Sequence, residues 1–384
     1  MTRAVERELE HFIPIPRARI VDELCARDDL SEGERRAFAQ FTRIVTQLTH
    51  YQFHHTRERL KDRYLPLAPE GDLLVERFDE PAVRQAREAE FLETLDRLLI
   101  QANYVHLEGE ALDRIFSLPS PFRVQLKVSL KEYEVLKVYY RGQGEEVERT
   151  RSWRTFFRVN ERRYAVFSRV ALVVREKGED RLLLKLFTDV PQAGLEMLMP
   201  RTRVSIAKSD RWQLLILVLS IAAGGFGVVQ ALLNGIKSVL FLALILGLWA
   251  FKVAVGIRVA RDRFTAFLVK KLYYANLTNN LGVIHELIDL AEEEEVKETI
   301  LAYYFLRQAG GRLDEQTLDE RVEAYLFDTF GARCDFEVDD GVRKLVDLGL
   351  VETQGDTLVS VHPLEACRAL DARWDGIFVG PGQT

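Results

Sequence analysis

His50, His54 and Glu58 stand four residues apart in "THYQFHHTRERL", a spacing that places two imidazoles and a carboxylate on one helix face. Those are donors for zinc or iron. One helix seldom completes a metal site. The plain alternative is three polar side chains packing against a neighbouring helix or sheet. "VIHELIDLAEEEE" stops short of a zinc-peptidase pattern, because Asp289 stands where the second histidine after His285-Glu286 should be. The run Glu292 to Glu295 reads more simply as a solvated helix start whose acids suit the helix dipole.

Arg141 in "YYRGQGEE" could hold an anion or a headgroup. Otherwise it is a surface residue at a strand end, and the GxG beside it closes a turn. For nucleophilic catalysis there is no GxSxG, and Cys25, Cys334 and Cys367 have no context that marks a reactive thiol. No catalytic residue and no cofactor is assigned.

The elements that must position these residues follow from pattern. With 384 residues, 47% of them hydrophobic, and a formal net charge of −6, the chain can build two or three cores. Its acidity argues against general nucleic-acid binding. Three widely spaced cysteines without CxxC suggest a reducing compartment, and the first residues have no apolar h-region, so no secretory signal is expected. Apolar positions in "AFAQFTRIVTQL" and "EFLETLDRLLIQA" recur at helical spacing, which makes 1–117 a helical region. "FRVQLKV", "EVLKVYYRG", "YAVFSRVALVVREK" and "RLLLKLF" read as strands, which places a small antiparallel sheet domain over 118–200.

From Leu214 to Leu233, and again from Val239 to Ile257, the sequence is almost uncharged. Neither run shows a polar helix face, so a transmembrane helical hairpin is expected over 211–257. Arg201, Arg203, Lys208 and Arg211 precede it and Arg258, Arg261 and Arg263 follow it. By the positive-inside tendency both soluble parts then lie on the cytoplasmic side. Such a protein would sit in the inner membrane of a bacterium or a mitochondrial membrane of a eukaryote.

Juxtamembrane helices are expected over 258–292. Next comes "DLAEEEEVKETILAYYFLRQAGG", an acidic helix start with an apolar face and a Gly-Gly stop. Two further helices and two short strands about Gly355-Asp356 give the order of a winged-helix-like module over 293–375, with a flexible tail over 376–384. Its candidate recognition helix carries Asp335, Glu337, Asp339, Asp340 and Asp347 against Arg343 and Lys344. That balance repels phosphate and fits a protein contact better than DNA.

Several stretches together resemble a known family. "HFIPIPRARIVDEL", "FHHTRERLKDRYLPLAPEGD", "VLKVYYRG", "LLLKLFTDVPQAGLEMLMP" and "EEEEVKETILAYYFL" are similar to the family of two-pass membrane proteins that includes transmembrane protein 143. The resemblance implies a two-pass membrane protein with no established activity. The motif positions it marks include Tyr139, Tyr140, Arg141, Gly142, Lys185, Phe187, Pro191, Glu196 and Pro200. Of the histidine cluster, only His54 matches.

The expectation from sequence is thus an α+β integral membrane protein. It has a helical N-terminal region, a small antiparallel β-sheet, a two-helix hairpin and a winged-helix-like end. Its function would be non-enzymatic: a membrane-anchored interaction or organising protein in contact with the bilayer. A protein partner, or self-association, would use the acidic C-terminal module and the hairpin, with no nucleic acid involved. The rival expectations are a tethered metal-dependent enzyme using His50, His54 and Glu58, and a subunit of an oligomeric channel or transporter.

Overall fold

The computed structural model describes residues 11–69, 80–118, 125–151, 159–200, 203–205 and 274–377, together with Gly247, Phe251 and Val255. After Pro16 comes helix α1 (Arg17–Ala26). Helix α2 (Glu32–Tyr64) starts at a capping box in which the Ser31 hydroxyl accepts from the Glu34 amide and the Glu34 carboxylate accepts from the Ser31 amide. Helix α3 (Pro81–Gln101) has proline in its first turn, where no intrahelical donor is needed. Helix α4 (Gly109–Ser117) follows strand β1 (Val105–Leu107).

Two long strands, β3 (Tyr133–Arg151) and β4 (Val159–Glu176), pair antiparallel along their length. Strand β5 (Leu183–Pro191) adds to β4. The sheet then recruits β1 at one edge and β7 (Asn276–Asn279) at the other, in the order β1-β3-β4-β5-β7. A separate pair joins β2 (Gln125–Lys127) to β6 (Arg203–Ser205). Side chains alternate across the main sheet. Tyr139, Ala171, Val173, Leu184 and Leu186 pack on one face against α2 and α3. Val138, Val170, Leu172, Phe187 and Val190 pack on the other with α4 and the 3-10 turn Gln192–Leu198.

Helix α5 (Leu281–Gln308) joins two cores. Its first half contributes Ile284, Leu287 and Ile288 beneath the sheet. Its second half contributes Ile300, Tyr303, Tyr304 and Leu306 to a core shared with α1 and the start of α2. The expected boundary at 292/293 falls inside this continuous helix. Beyond the positive-φ pair Gly310-Gly311 come β8 (Arg312–Asp314), α6 (Glu315–Phe330), α7 (Val338–Asp347), β9 (Val351–Gln354), β10 (Thr357–Ser360) and α8 (Pro363–Ile377). The sheet order β8-β10-β9 is the arrangement of a winged helix. Gly355 sits at φ 65° in the turn between β9 and β10, a conformation that costs a β-carbon-bearing residue energy.

The integral-membrane expectation is corrected here. The described architecture is mixed α/β with an antiparallel sheet, and among the described residues no helix is long and apolar enough to cross a membrane. Length alone does not qualify α2 and α5, because α2 is interrupted by Gln40, Arg43 and Gln47 and α5 carries Glu286, Asp289 and the acids from Glu292. The expected multi-pass location, inner or mitochondrial membrane with cytoplasmic termini, loses its support with that finding. The expected hairpin at 211–257 lies outside the described residues, save that Gly247, Phe251 and Val255 are helical and exposed. Among the expected flanking cations, Arg203 belongs to β6. Arg201, Lys208, Arg211, Arg258, Arg261 and Arg263 lie outside the described residues.

Candidate functional site

The run "EEEEVKE" is not a solvated helix start. It lies in the middle of α5, and Glu294, Lys297 and Glu298 are only 2, 3 and 3% exposed. The spacing explains why. Leu287, Ala291, Glu294, Glu298 and Leu301 alternate steps of four and three, which is the stripe a helix turns toward its core. Two carboxylates therefore occupy core positions, and each needs a partner there.

Glu294 finds two cations. Arg141, 4% exposed, donates from Nη2 to Glu294 Oε1 at 2.7 Å. The Lys297 ammonium donates to the same oxygen at 2.8 Å. Oε2 accepts from the Ile13 amide at 3.0 Å, and Lys297 Nζ also donates to the Ile13 carbonyl oxygen at 2.6 Å. Both polar groups of residue 13 are thus held by charged side chains. The Phe12 ring lies 4.2 Å from the Arg141 guanidinium carbon, a cation–π contact. Asn103 Nδ2 donates to the His11 carbonyl oxygen at 2.8 Å, and the Arg17 amide donates to Glu293 Oε1 at 3.1 Å. Ile13 and Ile15 are buried while Pro14 and Pro16 face out, so "FIPIP" runs as an extended strap across α5 and beside Arg141 of β3.

Arg141 is therefore a buried residue, which corrects its reading as a surface strand end. Two residues along β3 from Tyr139, it shares that residue's face of the sheet, while Tyr140 points to the other. Tyr139 is buried under α3, where its hydroxyl donates to Asp96. Burial, together with that carboxylate, raises the Tyr139 hydroxyl well above its ordinary value. On the other side the Tyr140 ring lies tilted against Phe167, centroids 4.5 Å apart. Gly142 follows at φ 72°. Near the guanidinium, burial pushes the Tyr104 hydroxyl up to about 12, with Arg141 and Arg169 opposing.

The other motif positions gather on β5 and just after it. Lys185 is opposite Leu172 and Asn279 in register, and Phe187 is in the core. Pro191 ends β5, and the Pro200 carbonyl oxygen accepts from the Tyr133 hydroxyl. Glu196 sits in the 3-10 turn, where burial pushes its carboxyl up to about 7.

The structure gives the histidine face separate partners. His50 Nδ1 is 2.9 Å from Glu292 Oε2, His54 Nδ1 is 2.7 Å from Arg57 Nη2, and Glu58 accepts from Lys61 at 3.2 Å. Among the described residues no group of three or more His, Cys, Asp or Glu is placed to hold a metal. In the HE pair, Glu286 accepts from Arg169 Nη1 at 2.7 Å. Asp289 is raised by burial and then by Glu292 and Glu286.

A second concentration of charge lies on α6, α7 and the loop between them. Asp335 and Glu337 flank His11 at 3.4 and 3.5 Å. Glu323 accepts from the Phe336 amide at 3.1 Å. Asp319 is pushed up to about 6 by burial, then by Glu323, Asp335, Glu320 and Asp339. Asp340 is paired with Arg343 at 2.6 Å.

Two comparisons with known proteins bear on the chain. The family model described as "Protein of unknown function (DUF3754)" matches residues 133–282, a span running from β3 to the first turn of α5. It includes Arg141 and the motif positions through Pro200, and stops short of Glu294, Lys297 and the winged-helix arrangement. No solved structure matches.

Proposed function

We propose that this chain is a non-enzymatic interaction protein, and that the acidic face of its winged-helix arrangement receives a basic segment of a protein partner. The observation that supports this most is the crowding around Asp319, whose carboxyl is held up to about 6 first by burial and then by Glu323, Asp335, Glu320 and Asp339. Like charges gathered this closely oppose folding, and a cationic partner relieves them. A phosphate backbone would meet repulsion at the same face. Kinship with the family that includes transmembrane protein 143 we infer from the five matching stretches alone, and it adds no activity.

Zero-length carbodiimide cross-linking of the full chain in its native extract tests the reading. Adducts should map to Asp335, Glu337 and Asp339, and should vanish in the Asp335→Lys/Asp339→Lys variant while adducts elsewhere persist. Adducts that survive charge reversal, or that map away from α6 and α7, would refute it.

A further inference from the structure

A cavity of about 370 Å³ lies beside the Arg141 centre. The strap of residues 12–16 forms one wall. Strands β3, β4 and β5 supply Arg141, Arg169 and Asp189, and α5 supplies Glu293, Glu294 and Lys297. Its size is in the range of small-molecule sites.

Two features of the cavity wall call for a ligand. Glu294 is already saturated: Oε1 takes both cations and Oε2 takes the Ile13 amide. Arg141 and Lys297 share that one carboxylate, so Glu294 alone does not compensate the guanidinium in full. The second feature is on the guanidinium itself. Arg141 Nη2 is engaged by Glu294, but Nε is buried with no hydrogen-bond acceptor among the described residues. A buried donor without an acceptor is uncommon in a native fold, and this one belongs to a residue lining an open cavity.

The remaining charges limit what can enter. Arg169 adds a second guanidinium, shared with Glu286. Glu293 and Asp189 put negative charge on the same walls, which disfavours a polyanion. Asp189 adopts φ 52°, an uncommon conformation for a residue with a β-carbon that tends to collect at functional positions.

We propose that this cavity binds a small molecule through a single carboxylate, received by Arg141 with Arg169 beside it. An ammonium on the same molecule would be met by Glu293 and Asp189, so a small α-amino acid satisfies both sets of charges. This site is separate from the acidic face proposed above, and the two can fail independently.

The experiment is calorimetric titration of the full chain with acetate, glycine and inorganic phosphate, up to about 50 mM. Saturable binding of glycine or acetate, with phosphate weaker, is the expected result. Arg141→Lys keeps the charge but loses the fork and Nε, and should weaken binding at least tenfold. Because Arg141 is in the core, its circular dichroism spectrum is checked against the parent. If that variant fails to fold, Arg169→Gln on the half-exposed wall provides the reading and should weaken binding severalfold. Absence of saturable binding by all three probes would overturn the site. Tighter binding of phosphate than of acetate would overturn the carboxylate assignment, and binding unchanged in the folded variants would overturn the location.

Discussion

Lys297 holds the carbonyl oxygen of Ile13 at 2.6 Å, across 284 positions of sequence. The same ammonium holds Glu294, which in turn holds the amide of residue 13. Both backbone polar groups of Ile13 are therefore clasped by one turn of α5, with Arg141 closing the group from the sheet.

Removing the shared carboxylate should be expensive. Glu294→Gln leaves Arg141 and Lys297 buried against a neutral amide, and breaking a buried ion pair from one side typically costs about 3–5 kcal/mol. Urea unfolding should show a lower midpoint. Limited proteolysis should cut within residues 11–16 sooner than in the parent.

Tyr64 tests the core between the sheet, α2 and α3. It is fully buried, its hydroxyl donates to the Leu182 carbonyl oxygen at 2.9 Å, and Asn280 Oδ1 lies 3.1 Å away. Tyr64→Phe keeps the ring stacked on Phe91 but leaves those acceptors short of a donor. The expected loss is about 1–2 kcal/mol, with the denaturant slope unchanged.

Gly341 lets α7 lie close against α5. A β-carbon there would lie 3.2 Å from the Glu298 carbonyl oxygen and 3.3 Å from Ala302 Cβ. Gly341→Ala should cost about 1–3 kcal/mol, as overpacking does, and thermal unfolding would register it. An equal or raised midpoint would mean that α7 shifts freely on α5.

The fold should lose stability as pH rises through the range just below neutral. Burial lifts Glu196 to about 7, Glu298 to about 7 despite Lys344, and Asp319 to about 6. Each therefore binds its proton more tightly folded than unfolded. Between about pH 4.5 and pH 7 the native state carries more protons, so this contribution shrinks with rising pH and is level above. Glu196→Gln removes one titrating group, and its urea midpoint should fall less between pH 5 and pH 8 than that of the parent.

Much of the sheet was legible because "EVLKVYYRG" and "YAVFSRVALVVREK" are β-rich with partial alternation, and the β9–β10 hairpin because Gly355 marks its turn. Strands β1, β7 and β8 were not, since three or four residues carry too little pattern and pair only where the tertiary fold offers an edge. Glu294 and Glu298 hid in an acidic run whose composition suggests solvent. Their phase with Leu287, Ala291 and Leu301 was the available signal. The apolar segment misled in the opposite sense: hydropathy without a period gave a membrane class that the described helices do not support. His50, His54 and Glu58 do share a helix, as their spacing requires, but a common face did not give them a common partner.

Helix α5 has a consequence for how the molecule can be taken apart. Its first half is a wall of the core beneath the sheet and its second half a wall of the core around the wing. A cut at 292/293 would leave each fragment with half a rod and an uncovered apolar stripe. The two halves of the chain are in that sense not interchangeable parts: melting of one strips the other, and hydrogen exchange along Leu281–Gln308 should slow and quicken as one unit.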